Sequence, residues 1–88
     1  MPEYQIDFAR SARKELEKLP PQIAERILGR VENLKVAPRP SGSLKLKGES
    51  SLWRIRIGDY RVIYSIDDQK HRIDISFIRH RKDIYRDI

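Results

Sequence analysis

Apolar and polar positions alternate from Trp53 to Ile57 and, except at Ile63, again from Tyr60 to Ile66, in the stretch LWRIRIGDYRVIYSI. Trp53, Ile55 and Ile57 alternate with Arg54 and Arg56; Tyr60, Val62, Tyr64 and Ile66 alternate with Arg61, Ile63 and Ser65. A period of two is that of a strand with one buried face. Gly58-Asp59 separates the runs, and a Gly-X pair there predicts a hairpin with a type II′ turn, because glycine accepts positive φ at the first turn position. A turn centred on that pair sets Ile57 opposite Tyr60, Ile55 opposite Val62 and Trp53 opposite Tyr64 on an apolar face. Arg56 then meets Arg61 on the other face, with Arg54 beside them opposite Ile63.

The rest of the chain reads as follows. Tyr4, Ile6 and Phe8 alternate with Glu3, Gln5 and Asp7, a half-buried strand. Phe8, Ala12, Leu16 and Leu19 recur at helical spacing, which predicts a helix over Ala9 to Lys18 that Pro20-Pro21 ends. Pro21 opens a second helix reaching Lys35, with Ile23, Ile27, Val31 and Leu34 as its buried stripe and Leu28 beside it. The short link makes the pair an antiparallel helical hairpin. Val36 to Ser43 is loop, Leu44 to Lys47 a short strand with its lysines pointing away from its leucines, and Gly48 to Ser51 a turn. Asp67 to Lys70 is a turn, and Arg72 to His80 the last strand, with Ile73, Ile75 and Phe77 inward and Asp74, Ser76, Ile78 and His80 outward. A turn centred on Asp68-Gln69 pairs Val62 with Ile75, Tyr60 with Phe77, Arg61 with Ser76 and Ile63 with Asp74. Arg81 to Ile88 is a polar tail, either a short helix or a mobile end. The expected fold class is α+β: an N-terminal strand, an antiparallel helical hairpin, then an antiparallel meander of three to four strands with helices on one face, in a single domain spanning 1–88.

This arrangement leaves one sheet face open, carrying Arg54, Arg56, Arg61, Ser76 and, at its end, His80. Like charges directly opposite in a sheet repel. Rule-breaking of this kind concentrates at functional sites, and an arginine cluster is what grips a phosphate group, through rigid forks of permanently charged donors. The plainer reading, a solvated polar face, stands beside it.

Charge and composition narrow the field. The 19 Lys and Arg against 13 Asp and Glu give a net charge of +6 over 88 residues, which favours an anionic partner. The chain has no cysteine, so disulfides and cysteine-based zinc sites are excluded. MPEYQIDF has no apolar h-region, and no apolar run approaches the ~20 residues of a membrane span, so a soluble, intracellular protein without membrane contact is expected.

Glycine-rich phosphate loops, metal-ligand spacings, paired carboxylates and serine-nucleophile signatures are absent from the sequence, so neither a metal nor another cofactor is expected. Few enzyme classes remain, and one is metal-free RNA cleavage, in which the ribose 2′-OH attacks the adjacent phosphate. It needs a base, an acid and cations for the extra phosphate charge. Tyr85 is a candidate for base stacking or proton donation, or else an anchor for the tail. His80 is a candidate acid or base, or else a surface histidine at a strand end. Lys45 and Lys47 are candidate phosphate contacts, or else edge lysines that discourage aggregation.

LKLKG, LWRIRIGDYRVIY and ISFIRHRKDIYR, following a strand and a helical hairpin, resemble the RelE/ParE toxin superfamily of bacterial toxin–antitoxin modules over nearly the whole chain, and most closely its RelE branch. The resemblance implies a cytoplasmic, ribosome-dependent mRNA endonuclease that cuts the codon in the ribosomal A site without metal. It implies a cognate antitoxin that covers the basic face, with the toxin monomeric alone and hetero-oligomeric with the antitoxin. By resemblance, Arg54 and Arg56 fall on two basic positions of the hairpin's first strand, Arg61 on a phosphate-binding arginine, Arg81 on an arginine proposed as acid or transition-state stabiliser, and Tyr85 on a tyrosine that stacks on or orients mRNA. In some members a lysine proposed as general base stands at the place of Arg54. Arginine keeps its proton, so Arg54 is expected to act by charge and position, leaving His80, Tyr85, a ribosomal group or water as the base. Two other functions fit the same fold: a ParE-like gyrase inhibitor that cuts nothing, and a non-toxic basic RNA-binding module. Since none of the site residues is expected in the core, Arg61→Ala and Tyr85→Ala should each change stability by no more than ~0.5 kcal/mol.

Overall fold

A computed structural model of the protein describes residues 3–46 and 51–82. Strand β1 (Gln5–Phe8) leads into helices α1 (Arg10–Lys18) and α2 (Pro21–Asn33); β2 (Leu44–Lys45), β3 (Leu52–Ile57), β4 (Tyr60–Asp67) and β5 (Arg72–His80) follow. Extended backbone at Leu19 and Pro20 separates the helices, and Pro21 opens α2, where its missing N–H costs nothing. The class is α+β, as the patterning predicts. The predicted turn at Gly48 to Ser51 and the predicted tail from Arg81 to Ile88 fall largely on 47–50 and 83–88, which lie outside the described residues.

The strands form one sheet in the order β1-β5-β4-β3-β2. β2 to β5 are an antiparallel meander, as expected, but β1 joins at the far edge parallel to β5, with Ile6 beside Ile73 and Phe8 beside Ile75. Both helices pack against one face. Ala12, Ile27, Val31 and Leu34 from the helical segment meet Ile55, Ile57, Val62, Tyr64, Ile73, Ile75 and Ile78 from the strands, all essentially closed to water. The α2 stripe is the predicted one, and Leu28, beside it, remains exposed.

The central hairpin has the predicted register: Arg56 pairs with Arg61, Arg54 with Ile63, and Trp53 with Tyr64. Gly58 sits at φ +59°, the conformation a type II′ turn demands of its first residue.

The pairing of β5 differs from expectation, in two steps. The β4–β5 loop is longer than a two-residue turn. Asp67 pairs with Arg72, its carboxylate accepts from the Gln69 and Lys70 amides at 3.1 and 3.0 Å, and His71 closes the loop at φ +53°. That change moves the register by two residues and keeps each side chain on its expected face. A β-bulge then intervenes: Tyr64 pairs with Ile75 and Ile63 with Phe77, leaving Ser76 as the extra residue. Beyond it every side chain changes face. Ile78 enters the core opposite Val62, and His80 lies opposite Tyr60 on the helix side. Phe77 and Arg79 pass to the open face, opposite Ile63 and Arg61. The expected pairs Val62–Ile75, Tyr60–Phe77, Arg61–Ser76 and Ile63–Asp74 do not form.

The loop between α2 and β2 is tied across the strand ends. The Tyr64 hydroxyl donates to the Pro38 carbonyl at 2.7 Å, and burial pushes that phenol up to about 12. Arg39 lies 5.2 Å from the centre of the Trp53 ring and holds Asp68 through both guanidinium nitrogens, at 2.8 and 3.3 Å. The Tyr4 hydroxyl donates to the same carboxylate at 2.6 Å.

Candidate functional site

The open face is organised in cross-strand rows. Arg56, Arg61 and Arg79 stand opposite one another on β3, β4 and β5, a row of three arginines. The next row holds Leu44, Arg54, Ile63 and Phe77. Side chains directly opposite in a ladder leave Cβ atoms roughly 5 Å apart, so the positive charge is concentrated at the hairpin end of the sheet.

The row is built to different depths. Arg56 is exposed and Arg54 half-buried, whereas Arg61 is only 8% exposed. A buried guanidinium needs acceptors, and Arg61 Nη1 donates to the carbonyls of Gly58 and Tyr60 at 3.2 and 3.0 Å. The turn backbone thus fixes Arg61 at the centre of the row. Arg79 is half-buried, with its guanidinium 4.8 Å from the centre of the Phe77 ring, and it forms an ion pair with Glu15 of α1. At the end of β5 the Arg81 amide donates to the Asp59 carbonyl at 2.7 Å, and its Nε lies 3.8 Å from the Asp59 carboxylate. Arg81 therefore sits at the rim, beside the hairpin turn.

Arg79 is the member that sequence reasoning missed. The signal was the adjacent apolar pair Phe77-Ile78, which breaks strict alternation and marks the bulge that sends Arg79 to the arginine face. The other candidates separate. Ser76 occupies the bulge without a cross-strand partner, and its carbonyl accepts from the Ser11 hydroxyl at 3.1 Å. His80 is removed from the row: it packs edge-on to Tyr60 at 5.2 Å, and its Nδ1 accepts from the Lys82 amide at 3.2 Å. Lys45 pairs with Trp53, so it points to the helix side, and Leu44, 52% exposed, takes the arginine side. A phosphate contact from Lys45 would therefore be separate from the arginine row. Lys47 and Tyr85 lie outside the described residues. A cavity of about 210 Å³ opens on the helix side of the hairpin turn, lined by Ile23, Arg26, Ile57, Gly58, Asp59 and Tyr60, and holds none of the candidate residues.

Residues 6–85 match the family described as ParE toxin of type II toxin-antitoxin system, parDE. The chain belongs to the RelE/ParE superfamily of type II toxin–antitoxin toxins. It is 33% identical over 84 residues to the toxin RelG of Mycobacterium tuberculosis, covering 94% of this chain and 97% of that one. It is 34% identical over 87 residues to the toxin RelE of the same organism, covering 94% and 87%. Its fold superposes on the archaeal RelE–RelB complex from Pyrococcus horikoshii OT3 with a TM-score of 0.81 at 32% identity, covering 90% of this chain and 96% of that one. The RelE/ParE fold therefore supplies the scaffold, and the arginine row is what this chain places on its open face.

Proposed function

We propose that this toxin is a ribosome-dependent endoribonuclease that cuts mRNA in the A site and so stops translation, acting in the cytoplasm. The observation that carries the reading is the Arg56–Arg61–Arg79 row on the sheet face that the helices leave uncovered. Three arginines opposite one another suit a phosphodiester that gains charge as it reacts.

In the reaction, the ribose 2′ oxygen attacks phosphorus and its proton passes to a base. The bond from phosphorus to the 5′ oxygen breaks, and that oxygen takes up a proton. The products are a 2′,3′-cyclic phosphate and a 5′-hydroxyl. Arg61, fixed by the turn carbonyls, holds a non-bridging oxygen; Arg56 and Arg79 flank it and stabilise the extra charge; Arg54 sets the approach of the strand. Arg81 at the rim and Tyr85 keep the roles that the resemblance gives them, protonation or charge stabilisation for the first and stacking on mRNA for the second. No arginine serves as base, since each keeps its proton. His80, on the other side of the sheet, is poorly placed for the task, which leaves Tyr85, a ribosomal group or water. A cognate antitoxin that covers the arginine face completes the system; the relatives from P. horikoshii and M. tuberculosis were solved as RelE–RelB and RelBE2 toxin–antitoxin complexes.

Mapping mRNA 5′ ends on ribosomes after brief induction tests this reading: cuts in register with codons support it. A second reading, gyrase inhibition without cleavage, is favoured by the ParE description of the matched family. It predicts intact mRNA and blocked supercoiling.

A further inference from the structure

We infer that Glu15 of α1 is a positioning residue for the arginine row, fixing the Arg79 guanidinium at the β5 end of the row. The inference rests on the phosphate-binding reading of the row and adds the group that keeps the row assembled.

The fold brings this carboxylate to the sheet edge for a definite reason. β1 stops pairing with β5 at Phe8 and Ile75, where the Ala9 amide donates to the Ile75 carbonyl at 2.8 Å. From there α1 runs along the remainder of β5. Ser11 meets the bulge through its hydrogen bond to the Ser76 carbonyl. Glu15 lies one helical turn further on the same face of α1, level with Arg79, and the two form an ion pair. The side chains are 28% and 16% exposed, and Glu15 Oε1 is sealed from water.

A carboxylate oxygen shut off from solvent is costly unless an opposite charge offsets it, so Glu15 holds its partner more firmly than a solvated acid holds a surface arginine. The pair also relieves the row. Three cations set opposite one another repel, and Glu15 places one negative charge at the end of the line. The Arg79 guanidinium is thereby kept over the Phe77 ring, with Nη1 donating to the Ile78 carbonyl at 3.3 Å. A donor fixed before the substrate arrives need not be reorganised during the reaction.

The test uses the full-length toxin and ribosomes programmed with a short mRNA, measuring the cleavage rate at saturation and the half-saturating toxin concentration. Glu15→Gln keeps the size of the side chain and removes its charge. The saturated rate should fall at least tenfold, while the half-saturating concentration stays the same or drops, because the net positive charge has risen. Glu15→Asp, which keeps the charge, should recover part of the rate. In an Arg79→Ala background Glu15→Gln should change the rate no further, since the carboxylate acts through that arginine. A parental rate in Glu15→Gln, or an equal loss in both backgrounds, would overturn the inference. Arg61→Ala runs alongside. If that variant cleaves like the parent, the phosphate reading itself is at fault; if it is inactive while Glu15→Gln is fully active, only the role of Glu15 is.

Discussion

Arg61 shows how one side chain serves both fold and site. Its position opposite Arg56 follows from alternation through the hairpin alone. Its depth does not, because a pattern of charged and apolar letters records faces and not how far a guanidinium folds back onto its own turn. At 8% exposure, bonded to the Gly58 and Tyr60 carbonyls, Arg61 is part of the packing. Arg61→Ala should therefore cost about 1 kcal/mol in a denaturant titration, more than its sequence position implies, and should lower cleavage on ribosomes about 100-fold or more. Asp68 gives a residue-scale prediction away from the row. Hydrogen bonds from Arg39 and then Tyr4 hold its carboxyl down at about 2, against an ordinary 3.8. A depressed acid stabilises the folded state above its unfolded value and ceases to do so as pH falls through its folded value. Melting temperature should accordingly drop between pH about 4 and about 2, and Asp68→Asn should flatten that part of the profile. An unchanged slope in the variant would mean that the carboxylate contributes nothing there.

At the scale of elements, the hairpin and the last strand make an instructive contrast. Gly58-Asp59 pins the β3–β4 register because a two-residue turn admits a single pairing, and the observed ladder agrees pair for pair. Asp67 to His71 allows several loop lengths, and the one adopted depends on the Asp67 carboxylate capping two amides and on His71 entering the left-handed region. The bulge at Ser76 is a tertiary choice: it lets Ile78 fill the core beneath α1 and α2 and simultaneously turns Arg79 toward Arg61. Ile78 thus reports on the register. On the alternation read from sequence it is an outward residue whose truncation is nearly neutral; in the structure it is 2% exposed, and Ile78→Ala should destabilise by roughly 2–5 kcal/mol. A change below ~0.5 kcal/mol would contradict the bulge. The parallel attachment of β1 was likewise beyond the sequence, since its alternation fixes a buried face but not a neighbour.

For the whole molecule, the fold class, the helix-covered face and the superfamily were legible, because they rest on long periodic runs and on motifs spread over nearly the entire chain. The composition of the open face was legible only in part: Arg54, Arg56 and Arg61 were, whereas Arg79 and its partner Glu15 were not. The charge of +6 supplies long-range attraction to polyanions, and the row localises it. Binding to single-stranded RNA should weaken with salt, and Arg56→Ala, which removes one exposed phosphate contact, should reduce the slope of log affinity against log salt by about 0.7. An unchanged slope would place the RNA elsewhere on the surface. Whether the arginine row grips a scissile phosphodiester is decided by incubating purified toxin with ribosomes stalled on a defined mRNA and analysing the chemistry of the ends. The parent should cleave within the A-site codon, leaving a 5′-hydroxyl and a 2′,3′-cyclic phosphate, and Arg61→Ala should leave the mRNA intact. Uncut mRNA in the presence of the parent, together with loss of gyrase supercoiling, would contradict it.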